Sequence, residues 1–95
     1  MKRDVILDSI RRLIQSELPE AEESYLFGSW AKGSAVPTSD IDIAVAGQCL
    51  LDEKKISSLR RLLETIPTLR KIDLIDLGRV DAAFREEILK HAKPL

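Results

Sequence analysis

Apolar positions in this 95-residue chain recur at helical spacing in three stretches. In each stretch, apolar side chains return every three or four residues with charged residues between them, a pattern typical of a helix that buries one face. The three stretches are residues 4–18, 52–65 and 81–91. Pro19 and Pro67 close the first two, and Asp52 and Asp81 precede the second and third as N-cap residues.

Shorter apolar runs between these helices predict strands. The runs are residues 25–27, 41–46 and 71–77. In the second run the side chains alternate between two faces of a sheet, with Ile41, Ile43 and Val45 on one face and Asp40, Asp42 and Ala44 on the other. One face of this strand is therefore apolar, and the other carries small and acidic side chains, as expected at the base of a binding site.

The order of elements predicts an α/β (α+β) domain in which helices pack on a small mixed sheet of three to four strands. Residues 29–32 fit a short helical turn between Gly28 and Gly33, and residues 34–39, with Pro37 among them, fit an exposed loop. Compact domains commonly have about 100–150 residues, so we expect residues 1–95 to form one domain.

Charge and cysteine content narrow the classes of function. The chain has 15 basic and 16 acidic residues, so it lacks the excess positive charge that attracts nucleic acid. We therefore expect no strong nucleic-acid binding. Cys49 is the only cysteine, which excludes an intrachain disulfide and favours a reducing cytoplasm. No stretch approaches the roughly 20 apolar residues of a membrane span, so no membrane association is expected.

The candidate chemistry lies on the acidic face of the second strand. Asp40 and Asp42 are two residues apart, so both carboxylates leave the sheet on one side with Cα atoms roughly 6.6 Å apart. A divalent cation suits such a pair, and an acid on a neighbouring strand would complete its ligands. Asp73 and Asp76 are both available, but they are three residues apart on opposite faces, so only one can join.

A small-residue turn precedes these acids. Gly28 allows the backbone to approach a phosphate, Ser29 adds a hydroxyl donor, and Lys32 carries a charge toward the same group. Taken singly, each feature has an ordinary explanation: a turn, a solvated lysine, a solvent-facing strand acid, and for Trp30 a packing or surface aromatic. The order of the features, ending with a third acid in an apolar strand, favours a site.

The chain resembles a known family at these residues. Gly28-Ser29-x-Ala31-Lys32-Gly33 followed by Ser39-Asp40-Ile41-Asp42-Ile43 is similar to the signature of the DNA polymerase beta nucleotidyltransferase superfamily. Residues 72–77 and 84–88 resemble the end of its minimal nucleotidyltransferase (MNT) branch. The resemblance implies the polymerase beta-like fold.

The resemblance also implies roles for individual residues. Asp40, Asp42 and Asp73 would be metal ligands for two Mg²⁺ ions, or Mn²⁺, and Asp73 would orient or deprotonate the attacking hydroxyl. Gly28, Ser29, Lys32 and Ser39 would contact the nucleoside triphosphate, ATP. Lys32 stands where the family usually has arginine, so the charge is kept but the bidentate fork is lost.

The function implied by the resemblance is that of an antitoxin in a type VII-like toxin–antitoxin pair. Such a protein transfers AMP from ATP to a tyrosine hydroxyl of a HEPN-domain ribonuclease toxin. The chain has no room for an acceptor domain, so we expect the partner, or a second copy of the chain, to complete the site. Two alternatives stay open: a binding module that neutralises a partner by contact, and a nucleotidyltransferase acting on a small-molecule hydroxyl.

Overall fold

The computed structural model describes residues 3–33 and 39–95. Its elements are α1 (Arg3–Glu17), β1 (Glu23–Phe27), α2 (Gly28–Lys32), β2 (Ile41–Ala46), α3 (Glu53–Leu63), β3 (Ile72–Asp76), α4 (Ala82–His91) and β4 (Lys93–Pro94). The predicted order is confirmed, with boundaries within two residues. The loop predicted for residues 34–39 lies, except for Ser39, outside the described residues. Within the described ranges, no helix is long and apolar enough to cross a membrane.

The strands form one mixed sheet in the order β3-β2-β1-β4. β2 and β3 run parallel, whereas β1 is antiparallel to both β2 and β4. β1 begins two residues before its predicted start because Glu23 and Ser24 extend the ladder opposite the end of β2. β4 is the optional fourth strand, and its Pro94 is tolerated because the strand lies at a sheet edge.

The two faces of the sheet carry different cores. α1 and α3 cover one face and bury the large aliphatic side chains of β2, including Ile41 and Ile43. α4 covers the other face, where Ala44 and Ala46 meet Leu77 and Ile88. The predicted alternation of β2 is therefore confirmed, and the small, acidic face is the one beneath α4.

The predicted helix caps are also present. Asp52 Oδ1 accepts a hydrogen bond from Lys54 N at 2.9 Å, and Asp81 Oδ1 accepts one from Phe84 N at 2.7 Å. Each carboxylate thus satisfies a backbone N–H group that the first turn of a helix leaves without a partner.

The apolar stripe that the sequence predicts for α4 is wrong at two positions, Ala83 and Phe84. Its members are Val80, Ala83, Phe84, Ile88 and Ala92. Phe84 is 47% exposed and Ala83 is exposed too, whereas the buried residue of this helix is Ile88. On this face β2 contributes Ala44, Ala46 and Asp42, and the large side chains of the neighbouring strands, Tyr25, Phe27 and Ile75, are only partly buried.

Asp76 has a structural role at the end of β3. Its side chain is 3% exposed and accepts hydrogen bonds from Gly78 N at 2.8 Å and Leu51 N at 3.3 Å. Arg79 Nε lies 3.4 Å from the same carboxylate. Asp76 therefore faces the loop that leads into α3 rather than solvent, and it anchors that segment.

Candidate active site

The parallel pairing of β2 and β3 brings two of the predicted acids together. Asp42 and Asp73 are register partners in this ladder, so their side chains leave adjacent strands on the same face. Asp40 precedes β2 by one residue and is exposed. Asp76 belongs to the opposite face, as its separation from Asp73 by three residues predicted.

Burial and the other two acids shift the pKa of Asp42. The pKa of Asp42 is raised above its ordinary value, first by burial, then by the negative charge of Asp73 and then by that of Asp40. Asp73, whose side chain is 38% exposed, has Lys71 Nζ 3.4 Å from its Oδ1 atom. The cluster therefore favours a positive partner, and the lysine ammonium group supplies part of that charge.

Gly28 places the small-residue turn directly against Asp42. Its φ of +70° lies in the left-handed region, where a side chain is strained. A Cβ atom added to Gly28 would collide with Oδ2 of Asp42. Only glycine lets the backbone come this close, so the turn and the acids form one continuous surface.

The remaining predicted residues lie on α2 or next to Asp40. Ser29 follows Gly28 in α2, and its carbonyl accepts the N–H of Gly33, which ends the helix with a φ of +76°. Lys32 is exposed in the last turn of α2. Ser39 is half-buried beside Asp40 in the chain. The structure thus collects Gly28, Asp40, Asp42 and Asp73, with the other three on the surrounding segments.

The donor chemistry of the cluster fits a hard divalent cation, since magnesium prefers carboxylate oxygens and retains several waters for substrate phosphates to replace. Asp42 and Asp73 are adjacent, and the third acid is close enough to raise the pKa of Asp42. Over residues 3–33 and 39–95, however, no three His, Cys, Asp or Glu side chains are already drawn together as ligands. The residues are of the types that bind magnesium, but their three carboxylates are not drawn together around one point.

Two neighbours of the site were missed in the sequence. Lys71 lies two residues before Asp73, and strand alternation could have placed both side chains on one face. A cavity of about 100 Å³ between α2 and α4 borders the turn and carried no sequence signal. Its lining is Phe27, Gly28, Lys32, Phe84, Glu87, Ile88 and His91.

Comparison with known proteins finds a relative among the protein adenylyltransferases. The chain is 28% identical over 89 residues to the protein adenylyltransferase MntA of Shewanella oneidensis, covering 93% of this chain but 63% of that protein. It therefore spans less than two-thirds of that relative's length.

Solved structures of toxin–antitoxin complexes share the fold. One, crystallised with AMP-PNP, is 29% identical with a TM-score of 0.79, covering 92% of this chain and 69% of that one. Another contains a tri-AMPylated HEPN toxin of Shewanella oneidensis with its MNT antitoxin; its matched chain is 25% identical with a TM-score of 0.77, covering 98% of this chain and 71% of that one. The family model described as polymerase beta, nucleotidyltransferase matches residues 8–95, and the chain belongs to that family.

Proposed function

We propose that the chain is a metal-dependent protein adenylyltransferase that moves AMP from ATP to a tyrosine hydroxyl of a partner HEPN toxin, and so acts as the antitoxin of a pair. The observation that carries this proposal is the pairing of Asp42 with Asp73, with the Gly28 turn packed against Asp42. The relatives support the acceptor class, because one is a protein adenylyltransferase and another is bound to an AMPylated HEPN toxin.

Each predicted residue has a role in this proposal. Asp40, Asp42 and Asp73 would hold two Mg²⁺ ions, or Mn²⁺, which supply neutralisation of phosphate charge during the transfer. Gly28 and Ser29 offer backbone N–H groups and a hydroxyl to the triphosphate. Lys32 and Ser39, on the flanking segments, contribute a cation and a hydroxyl.

Asp73 would also serve the acceptor. Its carboxylate is partly exposed beside Asp42, where a hydroxyl can approach and donate its proton to it. The acceptor oxygen then forms a bond to the α-phosphorus of ATP, the bond from that phosphorus to the bridging oxygen breaks, and pyrophosphate leaves. The products are an AMP ester of the hydroxyl and pyrophosphate.

The partner completes the site in this proposal. Asp40 is exposed and Asp73 is partly exposed, so the acidic face is open on the side from which a protein hydroxyl would come. In the alternative arrangement, a second copy of the chain covers the open side of the acidic face. We place both proteins in the cytoplasm, the setting favoured by the lone, reduced Cys49.

The test is label transfer from ATP. Purified chain, the HEPN protein encoded beside it, Mg²⁺ and ATP labelled at the α-phosphate should give a labelled tyrosine on the partner, and Asp42→Asn should not. The proposal is wrong if wild type and Asp42→Asn label the partner equally or not at all. A partner silenced equally well by a variant with Asp40, Asp42 and Asp73 all changed to Asn would instead identify a binding module. A labelled small hydroxyl compound, formed without any partner, would identify a small-molecule transferase.

A further inference from the structure

Trp30 is buried in α2, two residues after Gly28, and two arginines lie over its ring. The side chain is 3% exposed. Arg70 Cζ is 4.4 Å from the ring centroid and Arg3 Cζ is 5.3 Å from it. Arg3 Nη2 also donates a hydrogen bond to the Trp30 carbonyl at 3.2 Å. Cations at these distances are attracted to the face of an indole ring.

These contacts join two parts of the candidate site that are distant in the chain. Arg70 belongs to the segment that enters β3, and the next residue, Lys71, accepts the N–H of Ile41 at 2.8 Å through its carbonyl oxygen. Asp73 follows two residues later. Trp30 therefore connects the helix that carries the Gly28–Ser29 turn with the strand that carries the third carboxylate.

α2 depends on such contacts for its position. A helix of five residues is unstable by itself, because helix nucleation is costly. Phe27, at its N-cap position, makes no side-chain capping hydrogen bond. The buried indole N–H has no acceptor within the described parts of the chain. Ring packing and the two guanidinium groups, together with the buried Ala31, are thus among the contacts that orient this helix.

We propose that Trp30 and Arg70 form a positioning pair that sets the Gly28–Ser29 turn relative to Asp73 and thereby determines the affinity for ATP. The inference rests on the proposed function, since it concerns the same nucleotide site. Neither residue is assigned to contact the substrate. Losing one cation–π contact is worth a factor of about 3 to 30 in an equilibrium constant, and we expect the Kd for ATP to rise by that factor.

The experiment compares Arg70→Gln, Trp30→Leu and their combination, using isothermal titration of AMP-PNP with Mg²⁺. Each single variant should bind several-fold more weakly, and the double variant no more weakly than the worse single one, because both remove the same contact. Trp30→Leu removes no charge, so a matching loss separates positioning from simple attraction of ATP by Arg70. Trp30→Phe keeps an aromatic face and should recover most of the affinity. If Trp30→Leu does not fold, Arg70→Gln carries the test.

Arg79→Gln is the matched control. Arg79 pairs with Glu53 at 3.1 Å and donates to the Leu51 carbonyl at 2.7 Å, at the far end of β3. Its loss should lower the midpoint of thermal unfolding by several degrees with the Kd for AMP-PNP unchanged. Arg70→Gln should give the reverse: weaker binding with a small change in the midpoint. If Arg70 had a purely structural role, Arg70→Gln would lower the midpoint of thermal unfolding and weaken AMP-PNP binding together.

Trp30 also provides its own spectroscopic signal, because it is the only tryptophan of the chain. Its emission should change when AMP-PNP binds to the wild type, and Arg70→Gln should alter the emission of the free protein while Arg79→Gln leaves it unaltered. Wild-type binding with unchanged affinity in Arg70→Gln or in folded Trp30→Leu overturns this inference alone. Absence of binding by the wild-type chain overturns the proposed nucleotide site and this inference together.

Discussion

The two faces of the sheet are built for different tasks. The face covered by α1 and α3 buries large aliphatic side chains completely, among them Ile43 of β2 and Leu59 of α3. The face toward α4 has Ala44 at its centre and Asp42 beside it, with an exposed Phe84 above. β2 contributes to both faces of the sheet. Its aliphatic side chains stabilise the fold on one face, and Asp42 belongs to the candidate site on the other.

The comparison shows what a site requires of its surroundings. Burial and two like charges raise the pKa of Asp42, so its charged form is disfavoured in the folded chain. A fold can accommodate such a group only if other contacts supply stability, and the aliphatic face does so. Substitutions on the two faces should therefore affect different measurements.

The largest effect on stability is expected from Leu59→Ala on the aliphatic face. Leu59 is fully buried, and truncating a buried leucine costs about 2–5 kcal/mol, a large part of the ~5–15 kcal/mol that stabilises a typical domain. Chemical denaturation would measure the loss. Leu69→Ala is the control, because Leu69 is fully exposed and its truncation should change stability by less than about 0.5 kcal/mol. Equal losses in the two variants would contradict the assignment of the core.

Asp42→Asn should abolish transfer without loss of stability. Even the outer partners of metal ligands are worth about 10–100-fold in affinity or activity, so loss of a ligand should reduce label transfer more than about 100-fold. Asp52→Asn is an isosteric control, since asparagine caps a helix as well as aspartate does and Asp52 lies outside the site. Transfer by Asp42→Asn at the wild-type rate would remove the acidic face from the mechanism.

Gly28→Ala should impair the site, and Gly33→Ala should not. Both glycines have positive φ, at +70° and +76°, so both substitutions carry a similar backbone cost of about 1–2 kcal/mol. Only at Gly28 does the added methyl group meet the Asp42 carboxylate; at Gly33 it meets no described atom within 4 Å. ATP affinity and unfolding of the two variants separate these effects. Equal ATP affinity in the two variants would show that ATP binding does not require the close approach of the Gly28 backbone to Asp42.

The stability of the metal-free chain should fall with rising pH because of Asp42. Its raised pKa means that the folded state holds this proton more tightly than the unfolded chain, so stability is lost as the pH rises from 3.8 through the raised value. Asp42→Asn lacks this loss and should become more stable than the wild type across that interval. Urea unfolding with a chelator, from about pH 3 to about pH 7, measures the difference. Parallel curves for the two proteins would contradict the raised pKa of Asp42, which is caused by burial first and then by the charges of Asp73 and Asp40.

The smallest effect is expected from Phe84→Ser on the acidic side. Phe84 is 47% exposed, so its replacement should change the free energy of unfolding by about 0.5 kcal/mol or less. Ile88→Ala, one turn further along α4 at a buried position, should cost ~2 kcal/mol or more. Thermal unfolding of the pair tests whether Ile88, rather than Phe84, packs α4 against the sheet. A large loss at Phe84 would place that ring in the core.

Much of the fold was predictable because it depends on neighbours in the chain. The alternation of β2 and the capping carboxylates of Asp52 and Asp81 follow from local geometry, and the structure contains them. The exposure of Phe84 was not predictable, because the stripe of α4 indicates which residues share a face and not how much surface another element covers. The positions of Arg3 and Arg70 over Trp30 were not predictable either, because they depend on contacts between distant segments.

The sequence by itself predicted that Asp40 and Asp42 share a face, and it determined that Asp73 and Asp76 do not, because side-chain direction along a strand is a local property. Only the tertiary structure decided which of the two later acids lies beside Asp42. The parallel register of β2 and β3 pairs Asp42 with Asp73, while Asp76 turns to the Leu51 backbone. Strand register depends on contacts between distant segments, and local periodicity carries no information about it.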